Sequence, residues 1–416
     1  MSKIDELIAQ YCPEGVEYLK IEDVIISLKT GLNPRKNFKL NTEDAKNYYV
    51  TVREIVGNSI RFHDKTDKVN DDGLRLINNR SKLEKDDILF SGTGTIGRVA
   101  LVKESPGNWD VKEGIYILKP NQLKISPSFL LYLLNAPQII KHIQNKVVGS
   151  PVCSVPMSEL RKIQIPIPAL PVQEEIVNIL DKFTALEAEL EAELEARKCQ
   201  YEYYRNELLA FEGREVEWKT LGEIGEFIRG KRFVRTDMIE DGFPCIHYGE
   251  MYTHYNVYAT ESKSFISDEL ARKLRVASTG DVIIVAAGET TEDIGKATAW
   301  LGTSDVVIHD ACFTFKSELN PKFVAYFSRT KLFHDQIKKH ISSGKISAIN
   351  AKGLEKAKIP IPPLEEQERV VSILDKFDAL VNDISVGLPA EIAARRQQYE
   401  YYRRKLLTFE PLVVAQ

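Results

Sequence analysis

Residues Ile165 to Leu186 read I-P-I-P-A-L-P-V-Q-E-E-I-V-N-I-L-D-K-F-T-A-L, and residues Ile359 to Leu380 read I-P-I-P-P-L-E-E-Q-E-R-V-V-S-I-L-D-K-F-D-A-L. A second matching pair follows, Q-Y-E-Y-Y-R-N-E-L-L from Gln200 to Leu209 and Q-Y-E-Y-Y-R-R-K-L-L from Gln398 to Leu407. The chain is internally duplicated, and each copy opens with prolines that fix φ and lack an N–H. Pro166, Pro168 and Pro171 should therefore hold an extended approach, with the helix starting after them. Glu174 and Glu175 then suit the positive end of the helix dipole.

Apolar residues recur three or four apart from there on. The first copy gives Ile176, Leu180, Phe183, Leu186, Leu190, Leu194, Tyr201, Tyr204, Leu208 and Phe211; the second gives Val370, Leu374, Phe377, Leu380, Ile384, Leu388, Ile392, Tyr399, Tyr402 and Leu406. Such a stripe is a coiled-coil seam. At 1.5 Å per residue, Gln173 to Leu209 predicts a rod of about 55 Å, and two similar rods are natural partners for each other. Gly387-Leu-Pro389 should break or kink the second rod.

Outward from the rods, residues 3 to 11 form a short amphipathic pattern, and Val16-Glu17-Tyr18 resembles Val216-Glu217-Trp218 after the first rod. The duplication thus runs circularly, with the N-terminal helix matching the tail of the central rod. Between the copies lie two units of similar element order and different sequence. The first has β-rich runs at 48–52, 87–90 and 98–102 and a helical run at 129–143. The second has strands at 282–285 and 311–315 and a helical run at 321–340. The organisation predicted is α+β: residues 1–15 an N-terminal helix completing the repeat, 16–164 a first variable domain, 165–212 a central spacer helix, 213–358 a second variable domain, 359–410 a C-terminal helix and 411–416 a tail. Two long paired helices would separate the domains, with internal pseudo-two-fold symmetry.

No apolar run reaches eighteen residues, and the N-terminal residues are polar rather than signal-like, so a cytoplasmic protein that does not enter membranes is expected. Five cysteines, Cys12, Cys153, Cys199, Cys245 and Cys312, show no C-x-x-C pair and are expected to be ordinary buried thiols. The net charge of −4 argues against nonspecific coating of nucleic acid, but its distribution is uneven. Glutamates crowd 187–195, whereas 229–235 holds four basic residues and no acidic one, so a polyanion would meet the segments between the helices.

The motifs of catalysis do not assemble. Gly92-Thr-Gly94-Thr-Ile-Gly97 fits the dinucleotide spacing, but Arg98 to Val102 after it reads as a strand where a Rossmann turn must open a helix. A tight hairpin that lets backbone approach DNA is the better reading. There is no P-loop, no H-E-x-x-H or other metal-spaced cluster, and no N-P-P-Y or D-P-P-Y stretch. Basic and aromatic residues do interleave in the expected loops. The candidates for DNA contact are Arg35, Lys36, Lys39, Arg53, Arg61, His63 and Arg98 in the first unit, and Arg229, Lys231, Arg232, Arg235, His247, Tyr248, Tyr252, Lys296 and Lys345 in the second. The run Leu186-Glu-Ala-Glu, Leu190-Glu-Ala-Glu, Leu194-Glu-Ala-Arg reads as good helix and also as a ruler: one four-residue repeat advances a helix about 6 Å and turns it about 400°.

These blocks together, with the Ser91-Gly-Thr-Gly-Thr-Ile-Gly-Arg98 segment, resemble the specificity subunit of type I restriction-modification systems, in particular the subgroup with tetrapeptide repeats in its central spacer. The resemblance spans essentially the whole chain. It implies that the two variable domains are target recognition domains, each reading half of a bipartite double-stranded DNA site, and that the conserved helices form an antiparallel coiled coil and set the spacing. It implies docking of two modification subunits, which use S-adenosylmethionine to methylate adenine N6, and of restriction subunits that use ATP and Mg. The spacer and docking candidates are Phe183, Leu186, Leu190, Leu194, Tyr201, Tyr204, Leu208, Phe377, Leu380, Tyr399, Tyr402 and Leu406. This chain would itself be non-catalytic and bind no cofactor. The rival classes are a coiled-coil interaction scaffold that never touches DNA and a standalone nucleotide-binding enzyme.

Overall fold

A computed structural model describes residues 3–34, 37–342, 344 and 346–412. The chain divides into two compact units, residues 1–189 with 393–416, and residues 190–392. The long helix Leu170–Ala210 crosses from one to the other, and the unit boundary falls inside its glutamate-rich repeat. Pro171 lies inside this helix and not ahead of it. Its missing N–H would have had no intrahelical partner in the first turn, so the ring fits there without loss.

In the first unit, the helix Lys3–Tyr11 is followed by strand Glu17–Lys20, which pairs antiparallel with Gln164–Ile167. An antiparallel sheet runs in the order Ile25–Thr30, Ile115–Pro120, Ile88–Ser91, Val99–Leu101. A smaller sheet orders Lys68–Val69, Asn47–Val50 and Trp109–Val111, the last pair parallel. The helix Pro127–Leu134 is buried over Phe129 to Leu134 and supplies much of the core. The run 129–143, expected as one helix, is two. The chain leaves helical geometry at Ala136 because Pro137 disfavours it there, and Pro137–Gln144 starts afresh.

The second unit repeats this plan. Strand Glu217–Thr220 pairs with Lys358–Ile361, and a sheet orders Gly225–Arg229, Cys312–Ser317, Val282–Val285, Ala297–Trp300, Tyr258–Ala259. A second sheet orders Met238–Ile239, Ser264–Ile266, Phe243–Ile246, Val306–Ile308, Val276–Ala277, again with one parallel pair where Phe243–Ile246 meets Val306–Ile308. The helical run 321–340 is Pro321–Phe327 and Lys331–Ile337 with a short turn after them.

The duplicated residues make the same bonds in both units. Gln173 Nε2 donates to the Pro168 carbonyl (2.7 Å) and Oε1 accepts from Ser126 N (2.8 Å); Gln367 does so with Pro362 (2.9 Å) and Asn320 (2.9 Å). Tyr132 bonds Asp181, and Tyr326 bonds Asp375 (2.7 Å). In the first unit Phe183 stacks on Tyr402 at 5.4 Å and 26°, and in the second Phe377 stacks on Tyr204 at 5.4 Å and 27°. Tyr399 and Tyr201 flank these pairs at 6.3 and 6.4 Å. Within each unit, then, the I-L-D-K-F helix packs against the Q-Y-E-Y-Y-R helix.

Other seam residues divide. Leu194 and Leu208 pack against the second core and Leu406 against the first, and Leu190 is half-buried. Leu186 and Leu380 are exposed, as is Ile384 at 84%, whereas Val381 is buried. The stripe fails at Ile384 because the helix Leu364–Asn382 ends just before it and the next, Leu388–Leu406, begins after Gly387. Asp383 Oδ1 accepts from Ser385 N (2.7 Å) in the break. Gly387 sits so close to the last turn that a Cβ there would lie 2.3 Å from the Ala379 carbonyl oxygen. Among the thiols, Cys245 and Cys312 are buried and burial pushes both up to about 12. Cys12 and Cys153 are only half-buried and Cys199 is exposed on the long helix, so the expectation of uniformly buried cysteines does not hold.

The glycine-rich segment is a hairpin loop between the antiparallel strands Ile88–Ser91 and Val99–Leu101, with Gly97 N donating to Ser91 O (2.9 Å). Gly92 is required by packing. A Cβ there would come within 2.2 Å of the Tyr116 ring, whose hydroxyl is fixed on Val155 O (2.7 Å). Gly92→Ala is expected to destabilise the protein by about 2 kcal/mol through overpacking. Chemical denaturation would read this, and a midpoint equal to wild type would refute the packing account.

Candidate nucleic-acid interface

In both units the chain turns sharply where a strand of the parallel pair ends. Asn47–Val50 runs into Thr51-Val-Arg-Glu54, and Phe243–Ile246 into His247-Tyr-Gly-Glu250. The glutamate is buried in each case and accepts the backbone N–H three residues back: Thr51 N to Glu54 Oε2 at 2.8 Å, and His247 N to Glu250 Oε2 at 2.9 Å. Thr66 Oγ1 (3.3 Å) and His63 Nε2 (3.0 Å) also reach Glu54, and Ser264 Oγ bonds Glu250. A carboxylate removed from water needs such partners, and here they fix the turn that presents the neighbouring side chains.

Around the first turn, Phe62 stacks on Tyr48 at 4.3 Å and 16° and meets Trp109 edge-on at 6.2 Å, while Lys68 Nζ lies 5.3 Å from the Tyr48 ring. Phe62 is exposed. Arg53 pairs with Asp67 (2.9 Å), Arg61 is exposed beside Phe62, and Arg98 donates to the carbonyls of Val52 (3.1 Å) and Ile55 (3.4 Å). Arg53, Arg61, His63 and Arg98 therefore converge on one segment, with Arg98 holding its backbone. Lys39 is exposed, and Arg35, Lys36 and Lys345 lie outside the described residues.

Around the second turn is a cup of about 720 Å³ whose walls include Arg232, Phe233, Arg235, His247, Tyr248 and His309. His247 and His309 are 4.8 Å apart, with Tyr248 at 4.6 and 4.9 Å from them and Phe233 at 5.9 and 5.2 Å. Burial lowers both histidines below the usual value. The Arg235 cation adds to this for His247, and His247 and Arg232 for His309, while Glu250 and Asp310 respectively oppose it. Gly249 N donates to His247 Nδ1 (3.2 Å) and Ala311 N to His309 Nδ1 (3.1 Å). A backbone N–H can only donate, so the neutral rings carry their proton on Nε2. Asp310 Oδ1, 3.0 Å from the same His309 nitrogen, makes an ion pair only with the protonated ring. The cup is thus aromatic and rich in donors, able to stack on a base and to address acceptor edges.

The remaining sequence candidates have other partners. Arg229 Nε donates to Asp310 O (2.9 Å) and Lys231 Nζ to Lys273 O (2.9 Å), which tie backbone together at the base of the cup. Tyr252 bonds Ala287 O (2.8 Å) behind Tyr248, and Lys296 pairs with Asp293 (2.6 Å). Sequence reasoning missed Phe62, Tyr48, Trp109, Phe233, His309 and the two glutamates. The T-x-x-E and H-x-x-E spacing at the end of an apolar run was the available signal.

The histidine pair makes stability pH-dependent. Their folded values are lowered, so the unfolded chain binds more protons in acid and stability falls as pH drops below about 6.5, by at most about 1.4 kcal/mol per pH unit per ring. Melting curves between pH 5 and 8 should show that slope, and His247→Gln with His309→Gln should reduce it, leaving the share of His334, which burial also lowers. An equal slope in the double variant would assign it to other groups.

The chain is thus a two-unit α+β protein in which each unit packs paired helical segments and carries a basic–aromatic surface of its own. The chain belongs to the family described as type I restriction modification DNA specificity domain, which matches residues 13–196 and 214–394, once in each half. It is 37% identical over 272 residues to the type I restriction enzyme EcoR124I/EcoR124II specificity subunit of Escherichia coli, covering 60% of this chain and 63% of that one. Identity is 32% over 303 residues to the putative type I restriction enzyme specificity subunit S.HindORF215P of Haemophilus influenzae, covering 69% and 73%. Among solved structures, one from work on complex assembly and conformational transition of the type I R-M system aligns with a TM-score of 0.62 at 18% identity, over 95% of this chain and 98% of that one. The HsdS subunit from Thermoanaerobacter tengcongensis aligns at 0.50 and 17%, over 95% and 96%. At these identities the structural likeness speaks for the fold. Among the described residues no group of acidic, histidine or cysteine side chains is placed to hold a metal, and no helix is long and apolar enough to cross a membrane.

Proposed function

We propose that this chain is the non-catalytic DNA specificity subunit of a type I restriction-modification complex. Each unit reads one half of a bipartite target, the first through the Tyr48–Phe62–Arg61 surface and the second through the His247–His309 cup. The observation that carries this reading is that two units with the same internal bonds present different side chains at the same turn, as two unlike half-sites require. The helices form an antiparallel coiled coil on a circular pseudo-two-fold frame. They set the spacing through tetrapeptide repeats of the kind found in one subgroup, and dock two modification subunits. Those subunits bring S-adenosylmethionine and flip the target adenine, and restriction subunits add ATP- and Mg-dependent cleavage in the cytoplasm.

Co-expression with the neighbouring modification subunit, followed by mapping of N6-methyladenine in host DNA at single-base resolution, tests the proposal. A split motif with a fixed gap is expected. A stable complex that methylates nothing would favour the interaction-scaffold reading.

A further inference from the structure

A second cavity of the same unit, about 510 Å³, lies where the C-terminal part of the long helix meets the helix Lys331–Ile337 and the link Arg329–Thr330 before it. Arg205, Arg329, Lys331, His334 and Lys338 line it. The Nε of Arg205 and of Arg329 is each shut off from solvent without a hydrogen-bond partner among the described residues. Arg329 donates from Nη2 to Ala297 O (3.1 Å), and Arg205 lies over the Tyr201 ring at 5.2 Å. Glu202, Glu292 and Asp335 are on the lining too, but neither guanidinium is ion-paired with them.

The duplication supplies a control. In the first unit the matching Arg403 lies over Tyr399 at 5.3 Å in the same way and its Nε likewise has no hydrogen-bond partner, but its Nη2 pairs with Glu400 at 2.6 Å, so the ion pair is what separates the two units. The residue matching Arg329 there is Asn135, whose amide donates to Asn58 Oδ1 (2.9 Å) and Leu131 O (3.0 Å). The Q-Y-E-Y-Y-R arginine is ion-paired in the first unit, whereas in the second Arg205 has no ion-pair partner among the described residues and shares a cavity with Arg329, which feels the charge of Asp378 without bonding to it. A cation withdrawn from water with no directly bonded counter-charge is costly, and an oxyanion reaching it lowers that cost. Burial, with the nearby Arg205 cation acting the same way and Tyr201 and Asp378 opposing, shifts Arg329 downward.

We propose that the Arg205–Arg329 cavity binds a phosphate group, and that in the working complex this is a backbone phosphate of the DNA read by the second unit. The choice of DNA rests on the reading given above and on two shared loops. Gly288, Glu289 and Ile346 face the His247–His309 cup, while Thr291, Glu292 and Ile341 face the cavity. A duplex engaged at the cup passes the edge where the guanidinium groups wait, and Arg–phosphate pairing fixes register without reading sequence.

Two measurements on the full chain decide the matter, with Arg329→Gln as the principal variant and the exposed Lys338→Gln as one that leaves packing intact. Inorganic phosphate, titrated at constant ionic strength against chloride, should raise the melting temperature of wild type, raise that of Lys338→Gln less, and leave Arg329→Gln unmoved. In the complex with its modification subunit, the slope of log affinity for target duplex against log salt should become shallower by about 0.9 in Arg329→Gln, the loss of one phosphate contact. The methylated motif should stay the same. No phosphate effect on wild type would overturn the site. A phosphate effect with an unchanged salt slope would overturn DNA as its source and leave a pocket for a free anion or a partner's carboxylate. Wild-type complex that binds no DNA would defeat the DNA-reading function, while the phosphate titration still judged the site.

Discussion

Replacing Arg232 and Arg235 together by glutamine is expected to weaken binding of a target duplex by about two orders of magnitude, since each lost cationic contact costs about 1–3 kcal/mol. Recognition of the half-site read by the second unit should fail, and that read by the first should survive in the residual methylation. The two arginines flank the cup formed by His247, Tyr248 and His309, so they are placed to neutralise phosphates or to reach guanine edges beside a stacked base. Arg229 and Lys231 belong to the same basic run but act differently. Their side chains hold Asp310 and Lys273 backbone, so Arg229→Gln with Lys231→Gln should lower the melting temperature more than the affinity. Fluorescence anisotropy and thermal melts on both double variants separate the two roles. If all four positions affected affinity alike, the run would be a diffuse basic patch and the cup would lose its status as a site.

How far the sequence spoke depends on which residues carried the information. The duplicated I-P-I-P and Q-Y-E-Y-Y-R blocks predicted the helices, because proline chemistry and apolar spacing are local properties. The same locality explains the hairpin at Gly92 to Gly97, where a strand pattern after the last glycine excluded a helix. What stayed hidden depends on contacts between segments distant in sequence. Nothing local distinguishes Arg98, which donates to Val52 and Ile55 carbonyls, from Arg232, which lines a cup. Tyr48 is an ordinary β-strand aromatic and Phe62 an ordinary loop one until the turn stacks them, and His309 becomes a neighbour of His247 only through the parallel pairing of the strands that precede them. The seam prediction failed at Ile384 for a different reason. It extended a helical period through Gly387-Leu-Pro389, the very place where the rod had been expected to break.

Deleting Leu190 to Glu193 should alter the distance between the two half-sites and neither half-site itself. The boundary between the compact units falls between Glu189 and Leu190, so the deletion removes helix at the junction, and with it the exposed Glu193–Arg197 pair, while the packing bonds of each unit stay in place. In the first unit these include Phe183 on Tyr402 and Glu187 with Arg396 (2.5 Å), and in the second Tyr201 with Asp378 (3.1 Å) and Phe377 on Tyr204. Four residues of helix amount to about 6 Å of advance and about 40° beyond a full turn. On B-DNA, with steps of about 3.4 Å, the same displacement is about one to two base pairs along the axis, and one helical turn per 10–10.5 base pairs makes 40° close to one step of twist. The methylated motif should therefore keep both halves and lose one or two bases from its gap. An unchanged gap would mean that the repeat is helix without a measuring role, and altered half-sites would mean that the junction supports the reading surfaces directly. Restoring the four residues as Ala-Glu-Ala-Lys, which keeps length and propensity but not sequence, should restore the original gap, because the prediction concerns length and phase of the helix and not the identity of its side chains.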